Sequence, residues 1–247
     1  MYAAINQEGE DELSRATAAL GWSGLAAGLS MGFSFAVESV LASATPAARW
    51  QPLVSKLGYS VGFLIVVLGR QQLFTENTLT VMLPLLRRRD RDVALNVARL
   101  WAVVFAANLV GAFAFALVAG RTSVFPGDVH ETFSRIAQQT VDASFGTMLL
   151  RGVFAGWLIA LMVWLLPYAE TARFWVVLLL AYVIGIGHFP HVIAGSVDSF
   201  YLVVTRQMGL AGAFYRFVIP TLVGNVIGGV SLVAALAHAQ FVAAEES

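Results

Sequence analysis

The sequence predicts an all-α integral membrane protein: six transmembrane helices in an inverted repeat of three plus three, with the second and fifth helices broken. Three observations predict it. The 247 residues are 58% apolar and only 12% charged, where a soluble domain has about 45–50% apolar and about 25% charged residues. Mean hydropathy is +0.76. Apolar stretches cover 20–43, 57–86, 95–119, 147–167, 174–205 and 212–242, and a span needs ~20 such residues. The middle stretch of each half is interrupted by polar or helix-breaking residues.

Residues 1–19 are polar and acidic (Glu8, Glu10, Asp11, Glu12). They lack the basic start and short apolar core of a cleaved signal peptide, so the first apolar segment reads as a retained span. The first three-helix repeat covers 20–119. In its first span Gly21, Gly24, Gly28 and Gly32 recur every three or four residues, a small face suited to close helix contact. In the second stretch LGYSVGFLIVVLG (57–69) is apolar, RQQLFTENT (70–78) is polar and LTVMLPLL (79–86) is apolar again. The first piece would make a helix of ~20 Å, short of a ~30 Å hydrocarbon core. A turn at the membrane surface would leave the second piece too short to return. The length argument therefore predicts one discontinuous helix, broken near the midplane. The third span, 95–119, is simple.

A connecting loop over 120–146 divides the halves, and the second repeat covers 147–242. Its first span, 147–167, is simple. The fifth stretch begins FWVVLLLAYVIGIG (174–187), is broken by HFPH, and continues to Val204. The last span has small residues at Gly224, Gly228 and Gly229. Three spans per half insert the second half upside down. Matching broken helices point to a solute pathway, because unpaired backbone at that depth is tolerated only where it is buried or lines a cavity.

The one basic cluster, RRRDR (87–91), follows the second span. The positive-inside rule puts it, and with six spans both termini, in the cytoplasm. The opposite loops carry Arg49, Lys56, Arg121, Arg135 and Arg206, so the bias rests on that cluster. A net charge of zero leaves no footprint for nucleic acid. The absence of cysteine excludes disulfides and thiolate metal sites.

His188 and His191 stand three apart, but the other histidines, His130 and His238, fall in the loop and near the C-terminus. A catalytic zinc usually needs three protein ligands, and Pro190 interrupts any regular face between the pair, so no metal is expected. An ionisable group at mid-membrane reads as functional; the structural alternative is a neutral histidine satisfied by backbone. Thr75 can cap the half-helix after the first break, and Ser196 the one after the second. Half-helix starts aimed at the midplane would attract an anion. Glu76 and Asp198 lie just inside those starts. They oppose an anion if they face the pathway and act as capping charges if they face protein. Arg70, one turn before Thr75, is placed near the membrane middle, with Glu76 and Glu38 as candidate partners. Phe63, Leu73, Phe74 and Ile184 read either as dewetting constrictions or as ordinary packing.

At LFT (73–75) and FPHVIAG (189–195) the chain resembles the formate/nitrite transporter family. The resemblance implies an aquaporin-like protomer of a homopentamer in the inner (cytoplasmic) membrane, passing small monovalent anions. Thr75 matches the family threonine after the first half of helix two, and His191 the central histidine. Leu73 and Phe74 match neighbouring constriction residues. Tyr59 and Phe63 would lie at the cytoplasmic slit and Ile184 at the other constriction. Gln72 stands where the family usually has an acid, Gly195 and Gly156 where it has asparagines, Thr140 where it has a lysine, and Arg70 where a small residue is usual. These departures mark an atypical, YfdC-like branch.

The expectation is a channel or carrier for small anions or their weak acids, with a proton shared at His191. It has no cofactor and is not an enzyme; its partners are the bilayer and a small-molecule or ion substrate. The alternatives are a neutral solute or a cation, an intramembrane enzyme using His188 or His191, and a non-conducting sensory pentamer.

Overall fold

A computed structural model describes residues 2–234 (without the side chains of 232 and 233), 236, 238–240 and 243. The boundary placed at residue 242 and the extreme C-terminus lie outside them. Every regular element among the described residues is helical.

The acidic N-terminal region forms α1 (Tyr2–Ser14), followed by the first long helix, α2 (Thr17–Ala44). Pro52 in the first turn helps start α3 (Gln51–Leu68), and α4 (Asn77–Thr80) and α5 (Met82–Arg88) follow the first break. Asp90 accepts from the Asp92 N–H at 3.2 Å and caps α6 (Arg91–Arg121). The stretch expected as a loop over 120–146 is largely helical. In α7 (Gly127–Thr140), Val129, Thr132, Phe133, Ile136 and Ala137 are buried, a spacing of three and four that gives one face to pack on its neighbours. Ser144 caps α8 (Phe145–Leu165), and α9 (Arg173–Ile186) and α10 (Val192–Val204) flank the second break. The last span runs through α11 (Leu210–Ala213), a π-helical turn at Phe214–Val218, α12 (Ile219–Ile227) and a second π-helical stretch, Gly228–Ala234.

Among the described residues, five helical stretches are long and apolar enough to cross a membrane, and α10 is a shorter apolar helix. With 14 and 13 residues, α9 and α10 each extend only ~20 Å, so the fifth span needs both.

The halves are built alike. Helix α2 packs on α3 and α6, and α8 packs on α9 and α12. A Cβ on Gly28 would lie 2.1 Å from the Asn108 carbonyl oxygen, and one on Gly156 2.1 Å from the Asn225 carbonyl oxygen. Both glycines let the first helix of each half touch the backbone of the third. Gly156→Ala is expected to lower the melting temperature of detergent-extracted protein, since overpacking costs about 1–3 kcal/mol. Gly146, with nothing within 4 Å of its Cβ position, should accept alanine without that loss. Equal melting temperatures for the two variants would contradict the close approach.

Candidate functional site

A break in a membrane helix frees backbone groups that lipid cannot satisfy. Both breaks solve this in the same way. The Gly69 N–H closes α3 on the Ile65 carbonyl at 2.9 Å, Arg70 turns left-handed (φ 51°), and the Gln71 N–H returns to Val66 at 3.0 Å. The Gly187 N–H closes α9 on Val183 at 2.9 Å, His188 turns left-handed (φ 50°), and the Phe189 N–H returns to Ile184 at 3.1 Å.

An asparagine from the third helix of each half then clamps the chain. Asn108 Oδ1 accepts from the Phe74 N–H at 2.9 Å, and its Nδ2 donates to the Gln72 (2.9 Å) and Gly24 (2.7 Å) carbonyls. Asn225 Oδ1 accepts from the Val192 N–H at 2.9 Å, and its Nδ2 donates to the Pro190 (3.0 Å) and Gly152 (2.9 Å) carbonyls. Both asparagines are fully buried. Sequence reading missed them, although the signal was present as NLVG (108–111) and NVIG (225–228), an amide in the middle of an apolar segment with a glycine three residues on.

The clamped breaks bring Thr75 and His191 together. Thr75 Oγ1 and His191 Nε2 are 2.6 Å apart, and both residues are only 1% exposed. The Ala194 N–H donates to His191 Nδ1 at 3.2 Å. With Nδ1 accepting, the neutral ring holds its proton on Nε2 and donates it to Thr75 Oγ1. The threonine hydroxyl hydrogen is then left to point elsewhere. Phe63 meets the imidazole edge-on at 4.9 Å, and Tyr59 packs on Phe63 at 5.4 Å.

A cavity of about 110 Å³ reaches His191 from one side, lined also by Tyr59, Ile184, His188 and Asp198. Thr140 Oγ1 donates to Asp198 Oδ2 at 2.7 Å. Lys56 Nζ pairs with Glu38 Oε1 at 2.5 Å, and with Arg151 these residues complete the charged lining.

The first break faces the other end of the bundle. The Gln72 N–H bonds to Ser23 Oγ at 3.0 Å, and Ser23 stands 15 residues before Glu38 on α2, ~22 Å along the axis. Here α1 docks. Gln72 Nε2 donates to Glu12 Oε2 at 2.7 Å, Arg88 pairs with Glu10 at 3.0 Å, and Arg99 donates to the Leu13 carbonyl at 2.9 Å. Partial burial and the Glu12 charge raise the titration of the Glu8 carboxyl above the usual range, opposed by Arg70 and Arg173. Glu76 Oε1 is buried with no hydrogen-bond partner among the described residues. Leu73 and Phe74 are buried at this break, and Phe74 packs on Trp101 and Phe105.

Several expectations need correction. Thr75 does not cap the following helix; Glu76 holds that position without a side-chain bond, and the Thr75 hydroxyl is committed to His191. Ser196 does not cap α10 either. His191 does so through its own ring, and Ser196 Oγ bonds back to the Val192 carbonyl. Arg70 is exposed, with its charge acting on Glu8 of α1, because the left-handed turn sends it outward before the chain dips back. Glu38 pairs with Lys56 instead of Arg70. Tyr59 and Ile184 do not mark opposite ends of a path; both line the one cavity, since α3 and α9 pack side by side. Among the described residues no cluster of three His, Asp or Glu side chains has metal-binding geometry.

Comparison with known proteins agrees with this architecture. The formate/nitrite transporter family model matches residues 1–239. Inner membrane protein YfdC of Escherichia coli (strain K12) is 36% identical over 236 residues, covering 96% of this chain and 76% of that protein. The formate channel BtFdhC of Bacillus thuringiensis is 28% identical over 194 residues, 75% of this chain and 73% of that one. A solved FNT family ion channel superposes with a TM-score of 0.83 at 18% identity, over 96% of this chain and 98% of its own. A pentameric formate channel with formate bound superposes with a TM-score of 0.74 at 18% identity, covering 92% of this chain and 98% of that one. By its breaks, its paired asparagine clamps and these matches, the chain belongs to the formate/nitrite transporter family, in its YfdC-like branch.

Proposed function

We propose that this protein is a membrane channel or carrier for small monovalent anions that cross as, or together with the proton of, their weak acids. The observation that carries the reading is the buried Thr75–His191 hydrogen bond at 2.6 Å, at the junction of two broken helices and beside a polar cavity. A bare anion crossing buried Phe63, Leu73, Phe74 and Ile184 would pay heavily in lost hydration. A neutral acid does not. His191 Nε2–H donates to Thr75, whose hydroxyl donates in turn to a substrate oxygen. The shared proton is thus held in a hydrogen-bonded relay, with Thr75 presenting it.

The relatives are channels and transporters, which supports transport over catalysis. The pentameric neighbour supports a homopentamer, and the YfdC relative supports an inner-membrane setting. The repeats 20–119 and 147–242 are then inverted three-span halves, with both termini on the cytoplasmic side, beside the basic cluster at 87–91. Glu76 and Arg70 tune the field at the α1 end, and His188 at the cavity mouth.

The test is pH-dependent uptake of formate, nitrite and neutral solutes into proteoliposomes, wild type beside His191→Ala. Formate or nitrite flux should rise with acidity and collapse in the variant. An intact oligomer passing neither anion at any pH would overturn the reading.

A further inference from the structure

The cavity contains a group that the Thr75–His191 relay does not use. Asp198 is 9% exposed, lines the cavity with His191, and is held by the Thr140 hydroxyl at 2.7 Å. His191, Gly195 and Asp198 follow an i, i+4, i+7 spacing, so they share one face of α10. All three line the cavity; Gly195 adds no side chain of its own, and the Phe217 ring, which also lines the cavity, packs there instead, its Cζ 2.2 Å from where a Gly195 Cβ would stand. The carboxyl group therefore lies ~10 Å from the imidazole along that face, in the same cavity.

The other ionisable groups facing Asp198 are Glu38 from α2, Lys56 and Tyr59 from α3, Arg151 from α8, and His188 and His191 at the second break. Glu38 and Lys56 are bound to each other. Both ring nitrogens of His191 are engaged. Phenols and guanidiniums keep their protons near neutral pH. His188 is exposed, at the left-handed turn. Asp198 is the buried group on this face that is free to exchange a proton with a solute.

We propose that Asp198 is the proton donor and acceptor for the permeating acid, and that it selects the acid form before the Thr75–His191 pair. This rests on the weak-acid reading above. In the step, the Asp198 carboxyl O–H breaks and an O–H bond forms on the substrate carboxylate. The neutral acid moves on to Thr75, and the carboxylate left behind is reprotonated by hydronium from the aqueous phase, carried in through water in the cavity. In the reverse direction the acid returns its proton to Asp198. The ionised Asp198 also repels a bare anion and accepts a hydrogen bond from an undissociated acid.

The experiment is formate uptake into proteoliposomes from about pH 5 to pH 8, with equal pH on both sides, for wild type, Asp198→Asn, Asp198→Glu and Thr140→Val. Positioned proton transfer contributes about 10²–10⁴-fold to reactions that depend on it, so Asp198→Asn should lose at least tenfold in rate. Its remaining flux should simply follow the free formic acid concentration. Asp198→Glu should restore a titrating profile, and Thr140→Val should move the profile's midpoint with the oligomer intact. An Asp198→Asn protein with the wild-type rate and profile would overturn the inference and leave the transport reading standing. If that variant does not assemble, an unmoved midpoint in both Asp198→Glu and Thr140→Val overturns it instead. Wild type that passes no formate defeats the transport reading itself.

Discussion

Asn225→Leu is expected to be among the most damaging single substitutions in the chain. Leucine matches the side-chain size but removes one acceptor and one NH₂ group. The Val192 N–H and the Pro190 carbonyl then lose their partners in a buried, lipid-surrounded interior, while the Gly152 carbonyl, inside α8, loses its second hydrogen bond and keeps its helical one. Leaving a buried polar group unsatisfied costs about 1–3 kcal/mol. Measured hydrogen bonds in a membrane protein average about 0.6 kcal/mol, with a maximum near 1.7, so the lower part of the range applies. The two orphaned groups together give a loss of about 1–3 kcal/mol. The break itself would also drift, taking His191 away from Thr75. The measurement is thermal unfolding of the detergent-extracted oligomer, with uptake alongside. Asn108→Leu should behave similarly, because Asn108 holds the Phe74 N–H and the Gln72 and Gly24 carbonyls. A melting temperature unchanged in both variants would show that the asparagines do not hold the breaks.

Thr75→Val should separate stability from transport. Valine is close to threonine in shape, and the side chain is 1% exposed, so packing survives. What disappears is the hydroxyl at 2.6 Å from His191 Nε2, and with it the donor offered to a substrate oxygen. The stability cost should stay near that of one orphaned ring N–H, about 1–3 kcal/mol. Formate uptake should fall at least tenfold, since a site built to hydrogen-bond its substrate loses far more than packing energy when the partner is missing. Thr75→Ser, which keeps the hydroxyl, should retain most of the flux. Wild-type uptake by Thr75→Val in an intact oligomer would remove Thr75 from the pathway.

Much of the architecture was legible in sequence. The apolar stretches ended close to where the helices end, and Gly69 and Gly187 marked where α3 and α9 stop. The glycine runs in the first and last spans have the spacing of close-contact faces, and they meet the neighbouring helices. Other features were written in the sequence but not read there. NLVG and NVIG are short, and an asparagine in an apolar run looks the same whether it faces a neighbour or a break. The amphipathic α7 reads as a loop in sequence because its polar face thins the apolar signal over 120–146.

Composition, periodicity and the two interruptions determined by themselves that this is an all-helical membrane protein with two broken helical stretches, because a chain in lipid has few ways to satisfy its backbone. Only the tertiary structure decided what each broken segment touches. The Thr75–His191 pair is separated by 116 residues, and so the sequence near either residue contains no trace of the other. The outward turn of Arg70, the ion pair that takes up Glu38, and the sharing of one cavity by Tyr59, Ile184 and Asp198 are likewise decided by how α2, α3, α9 and α10 pack. Local sequence sets where a helix breaks; packing between distant helices sets which way the freed side chains face.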